Sequence, residues 1–67
     1  MQVIVNGEEK IVNAICTLAE ALLEWGYKPD MPFAVSVNNQ VIPRQQLAMN
    51  RLQEGYVIEI LMPMQGG

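Results

Sequence analysis

The sequence of 67 residues predicts an α+β fold in which a mixed, five-stranded sheet packs on one helix, in the order ββαβββ. Three observations support this prediction: an Asn-Gly pair between two β-prone stretches, one stretch of helical periodicity, and the apolar run YVIEILM close to residue 67. A helix on one face of a sheet buries the apolar faces of both. We expect residues 1–67 to form a single domain, because chains of this length hold one small core.

A β-hairpin is expected at the start of the chain. Val3 and Val5 are two residues apart, so in a strand both side chains lie on the same face. Asn6-Gly7 is the dipeptide most typical of a two-residue hairpin turn. A second strand containing Ile11 and Val12 is therefore expected to follow.

One helix is expected from residue 18 to residue 25. Its apolar residues recur at the spacing of one helical face, and they are Leu18, Ala21, Leu22 and Trp25. Thr17 and Glu20 have the spacing of a capping box, and Gly26 provides a stop signal. We expect Leu22 and Trp25 to be buried against the sheet. The sheet residues expected to face them are Val3, Val5, Val35, Val37, Ile58 and Ile60.

Three further strands are expected after the helix. Val35 and Val37 alternate with smaller residues, and Asn38-Asn39 marks a turn into a short strand at residues 40–42. The segment RQQLAMNRLQEG has no regular pattern, and Leu47 and Leu52 are its expected inward anchors. The final strand is apolar on both parities, which predicts an interior position in the sheet.

Composition and charge disfavour several classes of function. A net charge of −3 with only four Lys or Arg residues provides no basic surface for nucleic acid. There is no apolar stretch long enough for a membrane span and no signal-peptide pattern, so a soluble cytoplasmic protein is expected. Cys16 is the single cysteine and histidine is absent, so no disulfide or metal site is expected. The hydrophobic content of 51% suggests an apolar surface that contacts partners.

Several short motifs, taken together, resemble the thiamine-biosynthesis sulfur carrier family (ThiS). They are the block VNNQVIPRQQL, the turn LQEG and the ending ILMPMQGG. Members of this family are small ubiquitin-like β-grasp proteins that end in Gly-Gly, so the resemblance implies that fold for the whole chain. Tyr56, where members often have Asp, and Pro63, between two methionines, depart from the family pattern.

The resemblance implies a carrier that is not itself an enzyme. In this family an E1-like activating enzyme of the ThiF type uses ATP to convert the C-terminal carboxylate, here that of Gly67, to an acyl-adenylate. A sulfur donor protein then supplies the sulfur of a C-terminal thiocarboxylate, which a thiazole synthase of the ThiG type consumes. No bound cofactor is implied. Gly66 and Gly67 have no side chains, so they suit a narrow channel leading to a nucleotide.

Three residues are expected to contact these partners. Leu61 lies on the parity of the last strand that is opposite to the core residues, and Ile4 lies on the outer parity of the first strand, which we expect beside it. Pro63 stiffens the start of the glycine-containing segment, because its ring fixes φ. For Arg44, a contact with a partner and a solvated turn residue are equally supported.

Other functions remain open from the sequence. A small subunit of molybdopterin synthase is also a Gly-Gly β-grasp carrier, and a ubiquitin-like modifier would join its terminus to lysines of target proteins. A plain interaction domain would need neither ATP nor a change at the terminus. The Gly-Gly pair could also be a terminus without function. An intrinsic enzyme is disfavoured, because the sequence has no histidine, no paired pocket carboxylates and no phosphate-binding loop.

Overall fold

A mixed, five-stranded sheet packed on one helix forms the fold, in a computed structural model that describes residues 1–12 and 16–63. In chain order, the elements are β1 (Gln2–Val5), β2 (Glu8–Ile11), α1 (Leu18–Glu24), β3 (Ala34–Val37), β4 (Gln40–Ile42), a 3₁₀ helix (Arg44–Gln46) and β5 (Val57–Leu61). The strand order in the sheet is β2-β1-β5-β3-β4. This arrangement is the ubiquitin-like β-grasp, so the predicted fold class is confirmed.

Both predicted hairpin turns are present. Asn6 and Gly7 have φ values of 50° and 84°, and Asn38 and Asn39 have values of 50° and 69°. Positive φ at both central residues defines the type I′ turn, which asparagine and glycine adopt more readily than other residues. These turns connect β1 to β2 and β3 to β4, and both pairs are antiparallel.

Helix α1 begins at the predicted capping box. The N–H of Glu20 donates to the hydroxyl of Thr17 (3.2 Å), and the Glu20 carboxylate accepts from the N–H of Thr17 (2.8 Å). The helix ends at Glu24, one residue earlier than predicted, and Trp25 is its C-cap residue. Gly26 follows with a φ of +97°, a left-handed conformation that commonly ends helices.

The core lies between α1 and the inner face of the sheet. Its buried residues are Val3, Val5, Val12, Leu18, Ala21, Leu22, Val35, Val37, Leu47, Leu52, Ile58 and Ile60. Burial is therefore confirmed for Leu22 and for every sheet residue expected to face it. The predicted burial of Trp25 is wrong in degree: the side chain is half-buried, because it lies at the end of the helix and packs on the margin of the core.

Strand β5 is the central strand, as its apolar sequence predicts. It pairs in parallel with β1 and antiparallel with β3. The segment between β4 and β5, predicted to be irregular, includes the 3₁₀ helix, whose first residue follows Pro43. Leu47 and Leu52 anchor this segment in the core, as predicted.

Two of the three turn asparagines, Asn6 and Asn38, extend the pairing of β5. Asn6 Oδ1 accepts from the N–H of Ile60 (2.8 Å), and Asn6 Nδ2 donates to the carbonyl of Ile60 (3.4 Å). Asn38 Oδ1 accepts from the N–H of Val57 (3.1 Å). Each of these side-chain carbonyls satisfies a backbone N–H of β5, the strand that lies next to the turn. The two turns therefore hold β5 at both ends.

Candidate functional site

The candidate site begins where β5 leaves the sheet. Residues 62–67 follow this strand, and we call them the C-terminal segment. Met62 and Pro63 are exposed, as is Leu61, which is 68% accessible. The predicted exposure of Leu61 is thus confirmed, whereas Gly66 and Gly67 lie outside the described residues. The described part of the segment, Met62 and Pro63, follows the central strand β5, which is paired with β1 on one side and β3 on the other.

The side chains of β5 alternate between two faces. Ile58 and Ile60 are buried in the core, whereas Val57, Glu59 and Leu61 are exposed on the face turned away from α1. We call this second face the outer face. This alternation is the one predicted from the sequence, with Ile58 and Ile60 facing the core. Leu61 therefore lies on an open sheet surface next to the C-terminal segment.

Ile4 also belongs to the outer face, but it lies at the opposite end of β5 from Leu61. The register pairs Ile4 with Val57, whereas Leu61 pairs with Ala34 of β3. Four residues along a strand correspond to about 13 Å, with Glu59 between the two ends. Strands β1 and β5 are neighbours, as expected, yet Ile4 and Leu61 belong to separate apolar areas. Ile4 is half-buried.

A shallow groove lies beside the start of the C-terminal segment. Its volume is about 450 Å³, and its lining residues are Pro32, Phe33, Ala34, Arg44, Leu61, Met62 and Pro63. We call it the Arg44 groove, since Arg44 is the charged residue in this lining. Two of the predicted contact residues, Leu61 and Pro63, therefore lie together in one concave surface that sequence periodicity does not reveal.

Arg44 has a defined set of contacts, so it is more than a solvated turn residue. Its Nη1 donates to the carbonyl of Pro29 (2.7 Å), and its Nη2 donates to the carbonyls of Met31 and Phe33. The guanidinium lies over the ring of Phe33, 4.2 Å from the ring centroid. Arg44 thus orders the loop that leads into β3 through hydrogen bonds and a cation–π contact.

Metal-ligating side chains and the cysteine are the other candidates for chemistry among the described residues. Within residues 1–12 and 16–63, no group of three metal-ligating side chains is positioned to hold an ion. Burial, followed by the charges of Glu20 and Glu24, raises the pKa of the Cys16 thiol, so this thiol is less reactive than an exposed one. In the described part of the chain, no helix has the length and apolar character needed to cross a membrane.

Comparisons with known proteins identify the family. The model of the ThiS family matches residues 2–67. A crystal structure of the thiamine biosynthesis protein ThiS from Geobacter metallireducens is 25% identical, with a TM-score of 0.83 and coverage of 100% of both chains. An NMR structure of a thiamine biosynthesis protein from the same organism is also 25% identical, with a TM-score of 0.79 and coverage of 100% of this chain and 88% of that one. A search of curated proteins found no match. Because the family model spans nearly the whole sequence, the chain belongs to the ThiS family.

Proposed function

We propose that this protein carries sulfur for thiamine biosynthesis as a thiocarboxylate on Gly67. The observation that carries the proposal is the family match over residues 2–67, which includes both glycines of the C-terminal segment. The fold and the site geometry are compatible with it. The protein would be a cosubstrate that other enzymes act on, without a bound cofactor of its own.

The proposed chemistry takes place on the α-carboxylate of Gly67. A carboxylate is a poor electrophile, so one of its oxygens first attacks the α-phosphate of ATP, and pyrophosphate leaves. A sulfur nucleophile then attacks the carbonyl carbon of the acyl-adenylate, AMP leaves, and a thiocarboxylate remains. The sulfur is thus held covalently until a synthase takes it up.

The geometry of β5 suits delivery of this carboxylate to a nucleotide site. Ile60 is hydrogen-bonded to Asn6 on one side of the strand, and Leu61 pairs with Ala34 on the other. The starting point of the C-terminal segment is therefore fixed relative to the sheet. From Pro63 to Gly67, an extended chain spans about 17 Å, and the two glycines add no side chains to it. A partner that binds the sheet can thus position the carboxylate within its own active site.

The partners follow from the same proposal. An E1-like activating enzyme of the ThiF type would adenylate Gly67, a sulfur donor protein would supply the sulfur, and a thiazole synthase of the ThiG type would receive it. Leu61 and Pro63 would contact these partners next to the C-terminal segment, and Ile4 would contact them at the other end of the outer face. We place this chemistry in the cytoplasm, where ATP is available.

One variant separates activation from folding. Adding an alanine after Gly67 moves the carboxylate by about 3.5 Å and places a methyl group where we expect only backbone to fit. Misplacement on this scale can reduce a rate a hundredfold or more. We expect the extended protein to unfold at the native temperature. With it, the activating enzyme should release pyrophosphate at no more than about a hundredth of the rate measured with the native carrier.

The assay uses purified activating enzyme, ATP and either carrier, with a thermal melt of each carrier. Gln65→Ala is the control, because it changes a side chain of the C-terminal segment without lengthening the chain or moving the carboxylate, and it should retain activity. If the extended chain were activated at the native rate, without trimming of the added alanine, adenylation would not depend on the position of the carboxylate, and the proposed mechanism would be wrong.

A further inference from the structure

The Arg44 groove is a second feature of the site, and it adjoins the outer face because Leu61 belongs to both. Its lining includes Met62 and Pro63, at the start of the C-terminal segment, together with Phe33 and Arg44. An enzyme that binds the C-terminal segment in extended form, with Gly67 in its active site, also lies close to Pro63. The groove is thus continuous with the path that the proposed function requires.

The charge of Arg44 is not neutralised by its observed hydrogen bonds. Within the described residues, all three bonds of its guanidinium go to neutral backbone carbonyls, those of Pro29, Met31 and Phe33. An arginine has five N–H groups, so these bonds leave two available. A guanidinium presents a planar fork that matches the geometry of a carboxylate.

The rest of the groove is apolar, and the protein as a whole is acidic. Phe33 and Leu61 line the groove beside the guanidinium, whereas the net charge of the chain is −3. A positive charge within apolar walls selects a ligand with a negative charge next to apolar atoms. The stack on Phe33 and the hydrogen bonds to backbone carbonyls already hold the Arg44 side chain in place. Less side-chain entropy is therefore lost when Arg44 binds a ligand.

We propose that the Arg44 groove binds a segment of the activating enzyme in which a carboxylate stands beside an apolar side chain. The carboxylate pairs with the guanidinium of Arg44, and the apolar side chain packs on Phe33 and Leu61. This inference rests on the proposed function, because it assumes an enzyme that handles the C-terminal segment. It adds a contact with a positive charge, next to Leu61, to the contacts expected for the outer face.

The test measures how the affinity for purified ThiF-type activating enzyme depends on salt. Dissociation constants are determined by calorimetry at about 50 mM and 500 mM NaCl, concentrations between which charge pairs at an interface become screened. We expect Arg44→Gln to weaken binding about tenfold at low salt and to reduce the salt dependence. Arg51→Gln removes the same charge from another exposed position, so it should leave both quantities at the native values.

A second variant separates charge from loop structure. Arg44→Lys keeps the charge but loses the fork that binds the carbonyls, so we expect it to retain the native salt dependence with a smaller loss of affinity. If Arg44→Gln binds as the native protein does, or binds more weakly with an unchanged salt dependence, the proposed carboxylate contact is wrong. The same conclusion follows if Arg44→Lys behaves like Arg44→Gln.

Two other occupants of the groove would also overturn the proposal. If the protein's own C-terminal carboxylate were bound there, deleting residues 64–67 would shift the NMR signal of Arg44 Nε in the free protein. If a second copy were bound there, the native protein would sediment as a dimer and Arg44→Gln as a monomer. Pyrophosphate release by the activating enzyme, with ATP and the native carrier, is measured in parallel. Its absence would refute the proposed function, whereas its presence with a failed salt test would refute only this inference.

Discussion

The contact between Asn6 and Ile60 provides a direct test of how β5 is held. Asn6 has positive φ, and its side chain satisfies the N–H of Ile60 at 2.8 Å. Asn6→Gly removes this acceptor but keeps a residue that adopts positive φ without strain. The variant therefore reports the loss of the side-chain hydrogen bonds, with little contribution from the turn conformation.

The expected loss follows from the burial of the group left without a partner. Ile60 is only 5% exposed, so its N–H gains little compensation from water. A buried donor without a partner costs about 1 to 3 kcal/mol, and the longer bond from Nδ2, at 3.4 Å, adds little. For 67 residues the whole free energy of unfolding is about 3 to 10 kcal/mol, so this loss is a large share of the total.

The matched control is Asn39→Gly in the other turn. Asn39 also has positive φ, at 69°, and its side chain makes no hydrogen bond within the part of the chain that the structure describes. Both variants add the same glycine entropy to the unfolded chain, about 0.5 to 1 kcal/mol. The difference between them therefore isolates the contact with Ile60.

Urea denaturation measures both free energies of unfolding by linear extrapolation. We expect Asn6→Gly to be less stable than Asn39→Gly by about 1 to 3 kcal/mol. Equal stabilities, within about 0.5 kcal/mol, would show that the side chain of Asn6 does not support β5.

Two further substitutions test the core and the surface. Leu22→Ala should reduce the free energy of unfolding by about 2 to 5 kcal/mol, because Leu22 is 2% exposed, whereas Leu23→Ala, at a site 53% exposed, should change it by less than about 0.5 kcal/mol. A loss below about 0.5 kcal/mol for Leu22→Ala would contradict the packing of α1 on the sheet. Leu61→Asp should leave the melting temperature nearly unchanged and weaken the complex with the activating enzyme more than tenfold, whereas the control Met49→Asp, also exposed, should bind normally. Native affinity of a folded Leu61→Asp would exclude Leu61 from the interface.

Local chemistry in the sequence was sufficient to predict the individual elements. Asn6-Gly7 predicts its hairpin because few other dipeptides adopt positive φ twice, and Thr17 with Glu20 predicts the start of α1. The predicted fold class follows from these elements and the apolar final strand. Each of these signals lies within a few residues, so no tertiary information is needed to interpret it.

Features that depend on contacts between distant residues could not be predicted. The pairing of Ile4 with Val57, which separates Ile4 from Leu61, depends on the register of two strands more than 50 residues apart. Likewise, the bonds from Arg44 to the loop before β3, and so the groove beside Pro63, require the folded chain. A shift of register by two residues leaves every side chain on the same face of the sheet. The alternation of residues in the sequence therefore did not predict the position of Ile4 along β5.

If Gly67 carries sulfur, mass spectrometry of the intact protein will detect it. The native carrier is incubated with purified ThiF-type activating enzyme, ATP and sulfide, and the position of any modification is determined by fragmentation. We predict that one oxygen of the Gly67 carboxylate is replaced by sulfur, and that the replacement does not occur without ATP. An unchanged mass in the complete reaction, or a replacement that occurs equally without ATP, would contradict the account.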